Sequence, residues 1–162
     1  MQGLLEICKW LEAEPLGKTI GQSAWMFPAI ESVHMFGIVA MVGSTTIMDM
    51  RLLGILLPKQ PVSKVVDQAL KWAWGAFIVM ITTGGLMFIS EATRCYTNLG
   101  FQIKVLLLIL AGLNVAFFHF VTFRNVKDWE TSATPFAAKF AGLLSVLLWF
   151  GIVAMGRWIA WF

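Results

Sequence analysis

The stretch IKVLLLILAGLNVAFFHFVTF, Ile103–Phe123, is an almost unbroken apolar run. A helix needs about 20 mostly apolar residues to cross the hydrocarbon core of a bilayer, so this stretch is predicted to be a membrane span. Three similar segments occur elsewhere, and together they predict spans at about 25–48, 72–89, 103–123 and 136–158. We therefore predict an all-α fold, an integral membrane four-helix bundle in which residues 1–162 form a single membrane domain.

The composition supports this class. Hydrophobic residues make up 59% of the 162 residues, charged residues only 13%, and the mean hydropathy is +0.78. Soluble domains carry about 25% charged residues. The sequence also has no phosphate-binding glycine loop, GxSxG elbow, HExxH motif or basic-aromatic repeat. We therefore expect the lipid bilayer as a partner and no nucleic acid, and soluble-enzyme chemistry is not expected.

The N-terminal segment MQGLLEICKWLEAEPLG, residues 1–17, has no basic region of the kind that begins a cleavable signal peptide. Leu4, Ile7 and Leu11 recur at helical spacing. This pattern predicts an amphipathic helix on the membrane surface, ended by Pro15 and Gly17. A loose polar tail is the alternative.

Span one carries a polar stripe that is unusual for a membrane helix. Its residues recur every three, four or seven positions and are Glu31, His34, Met41, Thr45 and Asp49. That spacing keeps them on one face of the helix. Because lipid cannot hydrate ionisable groups, we expect the face to point toward the other helices or a wet cavity. Glu31 and His34 are functional candidates, and a simple hydrogen bond between them at the interface is the alternative.

The chain has two histidines, His34 and His119, which could be thought to bind one haem iron together. Four spans place both termini and the loop of Arg94 on one side of the membrane, here called side A, and the other two loops on side B. His34 lies roughly 9 Å in from side A and His119 roughly 24 Å, at about 1.5 Å per helical residue. Helix tilts of about 20° do not remove such a difference. We therefore expect the two histidines to belong to different sites.

Lys104, at the side A end of span three, matches the depth of His34 better. It is predicted either to extend toward the headgroups or to meet the anionic groups or iron of a cofactor whose metal ligand is His34. Met87 and Met155 lie near the same depth. Methionine can ligate haem iron, although most of the nine methionines are expected to be packing residues.

Further polar candidates lie toward side B. Asp49 and Arg51 are two residues apart, so they point to different faces and are not expected to form an ion pair within the helix. Asp49 could pair instead with Lys71, His119 or the region of Arg124, and its stretch could simply anchor the end of the span. Asn114 and His119 are five residues apart, roughly 140° around the helix, and so do not form one site.

Three runs resemble a family of small, functionally uncharacterised bacterial four-helix membrane proteins: FPAIESVHMFG at 27–37, DMRLLG at 49–54 and FQIKVLLLILAGLNVAFFH at 101–119. More distantly, a histidine on span one, an arginine where that span ends and a lysine opening span three are similar to the haem-binding membrane protoporphyrinogen oxidases and the copper-resistance D membrane proteins. In the oxidase family the first-span histidine and third-span lysine are the functional pair. The resemblance implies that His34 and Lys104 correspond to them.

Charge and cysteines give the expected orientation in a bacterial inner membrane. Side B carries Arg51, Lys59, Lys64, Lys71, Arg124, Lys127 and Lys139, and side A carries Lys9, Lys18, Arg94, Lys104 and Arg157. The excess on side B places that side in the cytoplasm and both termini in the periplasm. Cys8 and Cys95 both fall on side A, where either a disulfide or two free thiols would be possible.

These observations predict a b-type haem or quinone-associated electron-transfer protein. His34 would be the metal ligand, Glu31 would orient or protonate near it, and Lys104 would hold an anionic group of the cofactor. One alternative is a small transporter that conducts protons or metal ions along the stripe from Glu31 to Asp49. Another is a non-catalytic subunit of a larger membrane complex, and a homo-oligomer is also compatible with the sequence.

Overall fold

A computed structural model describes residues 2–130 and 133–159, and within these ranges the chain is helical, with no strand. The α-helices are α1 (Gln2–Ala13), α2 (Pro15–Gln22), α3 (Met26–Leu52), α4 (Val62–Ser90), α5 (Ala92–Thr97), α6 (Leu99–Phe117), α7 (Val126–Trp129) and α8 (Phe136–Trp158). A π-helical turn, Phe118–Thr122, and a 3₁₀ turn, Phe123–Asn125, connect α6 to α7. The predicted all-α fold is confirmed.

Four helical segments are long and apolar enough to cross a membrane: Met26–Leu52, Val62–Ser90, Leu99–Trp129 and Phe136–Trp158. This confirms the predicted number of spans. The second helix begins ten residues before the predicted span, because Val62, Val65, Val66 and Ala69 lie on one face and are buried while charged residues between them interrupt the apolar run. With 29 residues it is about 43 Å long, against about 30 Å for the hydrocarbon core.

The helices pack in the order α4, α3, α8, α6. The most extensive packing joins α3 to α4, followed by α6 with α8 and α3 with α8. Gly142 lets α3 and α8 approach closely, since a Cβ there would lie 3.2 Å from the backbone oxygen of Asp49. Within the described chain, α4 and α6 have almost no close backbone contacts. The ring of Phe88 stacks on that of Phe101 across this gap, with centroids 5.6 Å apart.

The N-terminal segment differs from the single predicted surface helix ending at Pro15 and Gly17. The first helix does end before Pro15, but Pro15 begins a second helix, as its fixed φ permits at a first helical position. Gly17 does not end a helix but lies inside α2, where the backbones of α1 and α4 approach closely. A Cβ there would be 2.8 Å from Leu11 O and 3.1 Å from Ile89 O, so the position requires glycine. The apolar side chains of Leu4, Ile7 and Trp10 are more than half exposed, as suits a helix that contacts lipid.

Candidate functional site

A cavity of about 250 Å³ lies among α3, α4, α6 and α8 at the side A end, with α5 on its rim. Glu31, His34 and Lys104, the three residues singled out from the sequence, all line it. Its other polar lining residues are Glu91, Arg94, Cys95 and Arg157. Methionine, phenylalanine, tryptophan and aliphatic side chains form the rest of the wall. The cavity is therefore an apolar chamber with ionisable groups gathered toward one end.

His34 is held by α4. The imidazole is 7% exposed, and its Nδ1 lies 2.8 Å from Thr83 Oγ1. The Thr83 hydroxyl donates its proton to the carbonyl of Val79 at 2.6 Å. A hydroxyl has one proton, so Thr83 must accept from His34 Nδ1–H. This fixes the tautomer and leaves the lone pair on Nε2 without a hydrogen bond to any described residue.

The imidazole also depends on Gly84. A Cβ at that position would lie 3.2 Å from Cε1 of His34, so a larger residue there would crowd the ring. Neither Thr83 nor Gly84 was identified from the sequence. The signal that could have found them is the run Thr82–Thr83–Gly84–Gly85, four small residues in an otherwise apolar span. The expected alternative, in which Glu31 bonds His34 directly, is not the arrangement present: Thr83 is the hydrogen-bond partner.

Lys104 is half-buried where α6 meets α8. Its side chain runs along α8 at Gly156, where a Cβ would be in ordinary van der Waals contact with Nζ at 3.7 Å. In the described part of the chain the one ion pair joins Arg94 to Glu91, with nitrogen and oxygen 3.2 Å apart. Lys104 thus brings a positive charge to the cavity wall with no carboxylate bound to it.

The rim of the cavity is fixed by the N-terminal helix. The carboxylate of Glu12, on α1, accepts hydrogen bonds from the backbone N–H and the hydroxyl of Thr93 at 2.7 and 2.9 Å. These bonds cap the first turn of α5, which carries Arg94 and Cys95 into the lining. Burial raises the pKa of the Cys95 thiol, and the nearby carboxylate of Glu91 raises it further. Cys95 and Cys8 are both free thiols, so the two-thiol alternative is the one present.

Two of the other polar candidates lie on α3, away from the cavity. Asp49 is 1% exposed, and neither carboxylate oxygen accepts a hydrogen bond from a described residue. It lies beside Ser145 of α8 and does not pair with Lys71, His119 or Arg124. Arg51 is buried and donates from Nε to Gln60 O at 2.8 Å. No ion pair joins Asp49 to Arg51 in the described ranges, as their spacing predicted.

The remaining candidates lie on the third span. Asn114 is buried and donates to the carbonyl of Ala141 at 3.0 Å, which ties α6 to α8. His119 lies in the π-helical turn and is exposed, with its ring stacked on Phe123 at 5.7 Å. It does not line the cavity. The two histidines therefore occupy different parts of the molecule, as the depth comparison predicted.

An apolar cluster closes the cavity toward side B. The buried residues Ala111, Leu148, Trp149 and Ile152 pack together, and around them lie Met41, Val42, Leu107 and Leu144. On α3 the cavity lining ends at Val42, two turns before Asp49. The stripe from Glu31 to Asp49 is thus turned toward the other helices, as predicted, but it is not one continuous polar path.

The donor set of the cavity is narrow. In the ranges 2–130 and 133–159, no three His, Cys, Asp or Glu side chains come together as metal ligands. One imidazole and the thioethers of Met35, Met80 and Met87 line the cavity, whereas Met155 is not among the lining residues. Such a set is too small to enclose a bare cation, yet an imidazole, alone or with a thioether, is a common axial ligand set for haem iron.

No curated protein and no solved structure matches the chain significantly. The model of one family, described as a family of unknown function (DUF6644), matches residues 8–162. The match extends over nearly the whole chain, including all four spans and every residue of the cavity wall. The protein is therefore a member of this family of unknown function, and it has the architecture of a multi-pass membrane protein.

Proposed function

We propose that the protein is an electron-transfer protein of the bacterial inner membrane that binds b-type haem in the side A cavity. His34 Nε2 is the iron ligand in this proposal. The observation that carries it is the hydrogen bond from His34 Nδ1–H to Thr83. Haem- and metal-binding histidines characteristically donate their second ring N–H to an oxygen, which orients the ring and makes the free nitrogen more basic.

The residues of the cavity fit this group. The walls are apolar and include Met80, Met87 and Trp149, while cationic side chains lie at the side A end, where haem propionates would reach them. Among the described residues no carboxylate pairs with Lys104, so its ammonium group is suited to bind a propionate. The space of about 250 Å³ lies below the range of roughly 300–1,000 Å³ of typical ligand sites. The gap between α4 and α6 gives a flat macrocycle room to extend beyond it.

The chain's own residues then have distinct roles. Haem, when bound, supplies one-electron redox chemistry. His34 holds the iron, Thr83 orients His34, and Lys104 neutralises an anionic substituent. Glu31 is half-buried in the same wall and is placed to take up or give a proton near the site. The excess of basic residues in the side B loops supports a periplasmic position for this site.

The distant resemblance to the haem-binding protoporphyrinogen oxidases supports the same reading. The histidine and lysine that form the functional pair of those proteins correspond to His34 and Lys104, and in this chain both side chains line one cavity. The proposal concerns haem binding and electron transfer, and it does not require oxidase activity.

The experiment is a visible spectrum of the purified protein from haem-sufficient cells, before and after dithionite reduction. Soret and α bands are expected. His34→Ala should abolish them, whereas His119→Ala, a change to the exposed histidine, should leave them intact. A colourless wild-type protein would refute haem binding, and equal loss in both variants would refute the assignment of His34 as the ligand.

A second candidate is a quinone site in the same cavity, which the cavity volume favours. About 250 Å³ accommodates a single ring more readily than a whole macrocycle. Lys104 could donate a hydrogen bond to a carbonyl oxygen of a quinone, and Nε2 of His34 could accept one from a hydroxyl of the reduced quinol. Saturable displacement of a quinone analogue from a colourless protein would favour this candidate. A conduit from Glu31 to Asp49 is not proposed, because the apolar cluster interrupts its path.

A further inference from the structure

We infer that the cavity takes its ligand from the bilayer, through the seam between α4 and α6, so that the ligand is an amphiphile dissolved in the membrane. Met87 and Phe88 of α4 and Phe101 of α6 define this α4–α6 seam. The inference rests on the proposed function in one respect, namely that the cavity binds a ligand. It names the class of that ligand, an apolar body with an anionic or carbonyl head, and its route.

The seam is the weakest junction in the described bundle. Three of the four neighbouring helix pairs pack backbone to backbone, whereas α4 and α6 hardly touch. All three seam residues line the cavity, and all three are partly exposed. Both α4 and α6 belong to segments long and apolar enough to span a membrane, so the exterior along their apolar length is expected to be lipid.

One aromatic contact closes the seam. Phe88 and Phe101 stack with their planes 16° apart. Both rings line the cavity, so the stacked pair forms part of the cavity wall. Rotation of either ring opens the seam without breaking a hydrogen bond, since aromatic stacking has no directional donor and acceptor.

The side A mouth, in contrast, is held by hydrogen bonds. Glu12 binds Thr93 twice, as described above. Asn98 accepts from the Phe101 N–H through Oδ1 at 3.1 Å and donates through Nδ2 to the carbonyl of Ile159 at 3.3 Å. The exposed side chains of Arg94 and Arg157 already face the water at this mouth, and widening it for a bulky ligand would break such bonds. The seam is closed by ring stacking, so a bulky ligand enters there at lower cost.

Charge explains how an amphiphile would orient. Ile81 of α4 and Val105 of α6 are exposed apolar side chains about one to two turns from Phe88 and Phe101 toward the centre of the spans. Lys104 is set at the inner, side A end of the opening, and Arg157 lies beyond it on the rim. A ligand that enters from the lipid head first would bring its head group to these cations.

The route can be tested by labelling a single cysteine in the cavity wall. In a Cys8→Ser, Cys95→Ser background, Met87→Cys is placed in nanodiscs, which leave both aqueous faces accessible. N-phenylmaleimide, which dissolves in lipid, is expected to react at least several-fold faster than a sulfonated maleimide, each rate being normalised to the unfolded protein. Met80→Cys, also in the wall, is the second reporter should Met87→Cys fold poorly.

The gate is tested in the same reporter. Phe88→Ala should raise the N-phenylmaleimide rate several-fold and leave the sulfonated reagent slow. The matched control is Phe140→Ala, which removes a ring from the stacked Phe136–Phe140 pair on α8, away from the cavity. Comparable rates for both reagents, or no response to Phe88→Ala, would overturn the inference. Labelling does not need haem, so a colourless protein with lipid-side access would refute the proposed cofactor and leave the route standing.

Discussion

His34 and Thr83 are joined across α3 and α4 by a hydrogen bond whose direction is set by a third group, the carbonyl of Val79. Because Val79 takes the only hydroxyl proton, the imidazole must donate from Nδ1. The free nitrogen of His34 is therefore fixed by a residue 49 positions away in the chain.

Thr83→Val removes this acceptor while keeping the shape of the side chain. We expect haem affinity to fall roughly 10–100-fold, since loss of such an orienting partner typically costs that much, and the Soret band to shift. Haem titration of the apoprotein measures both. Thr82→Val is the matched control, because Thr82 is exposed and its hydroxyl bonds only Ile78 O within its own helix. If the two variants bind haem alike, Thr83 does not orient the ligand.

Lys104→Met should have opposite effects on ligand binding and on stability. Removing an ammonium group with no carboxylate partner from the membrane interior is expected to raise the thermal unfolding temperature of the apoprotein. Loss of a charge-assisted hydrogen bond worth about 1.5–3 kcal/mol should weaken haem binding by roughly tenfold or more. Lys104→Arg should restore much of the binding. A variant that gains stability and binds haem normally would show that Lys104 only reaches toward the headgroups.

Gly142→Ala tests the close approach of α3 and α8. The new Cβ would lie 3.2 Å from Asp49 O and 3.3 Å from Leu52 Cβ, so the helices must separate. We expect a loss of about 1–3 kcal/mol in the free energy of unfolding, the usual cost of overpacking. Gly112→Ala on α6 is the control, since its Cβ would meet nothing within 4 Å. Unfolding of both variants in one detergent makes the comparison, and equal stability would contradict the packing described.

The thiol of Cys95 should react slowly at neutral pH. Burial and the carboxylate of Glu91 raise its pKa, so less of the reactive thiolate is present than in a free cysteine. In a Cys8→Ser variant, the rate of alkylation by iodoacetamide should keep rising with pH beyond the range in which free cysteine levels off. Glu91→Gln should move this profile to lower pH. A profile that coincides with that of free cysteine would contradict the buried environment.

Sequence reasoning located the first wall of the site because membrane helices rarely carry ionisable groups, which made Glu31, His34 and Lys104 conspicuous. Depth along the helices was enough to separate His34 from His119. Thr83 and Gly84 were not identified from the sequence because a hydroxyl or a glycine in an apolar span has many ordinary explanations. Only the packing of α3 on α4 brings these two residues to the imidazole. Their role depends on a contact between spans, which periodicity within one span does not report.

The same limit applies to the ends of the bundle. Hydropathy could not show that α4 extends ten residues beyond its apolar run, because Lys64 and Asp67 lie on the exposed face of a helix whose other face is buried. Hydropathy could not show the second N-terminal helix either, because proline and glycine usually indicate a helix end. At Gly17 the glycine is instead required by its close contact with the backbone of Ile89. Tertiary contact decided both outcomes.

The bond from Glu12 to Thr93 gives the N-terminal helix a structural task beyond membrane contact. Leu4, Ile7 and Trp10 turn outward from the same short helix whose Glu12 holds the first turn of α5. A chain that began at Pro15 would keep all four spans, together with His34 and Lys104, yet it would lose the support of the cavity rim. Shortening the protein from its N-terminus should therefore alter ligand retention before it alters insertion.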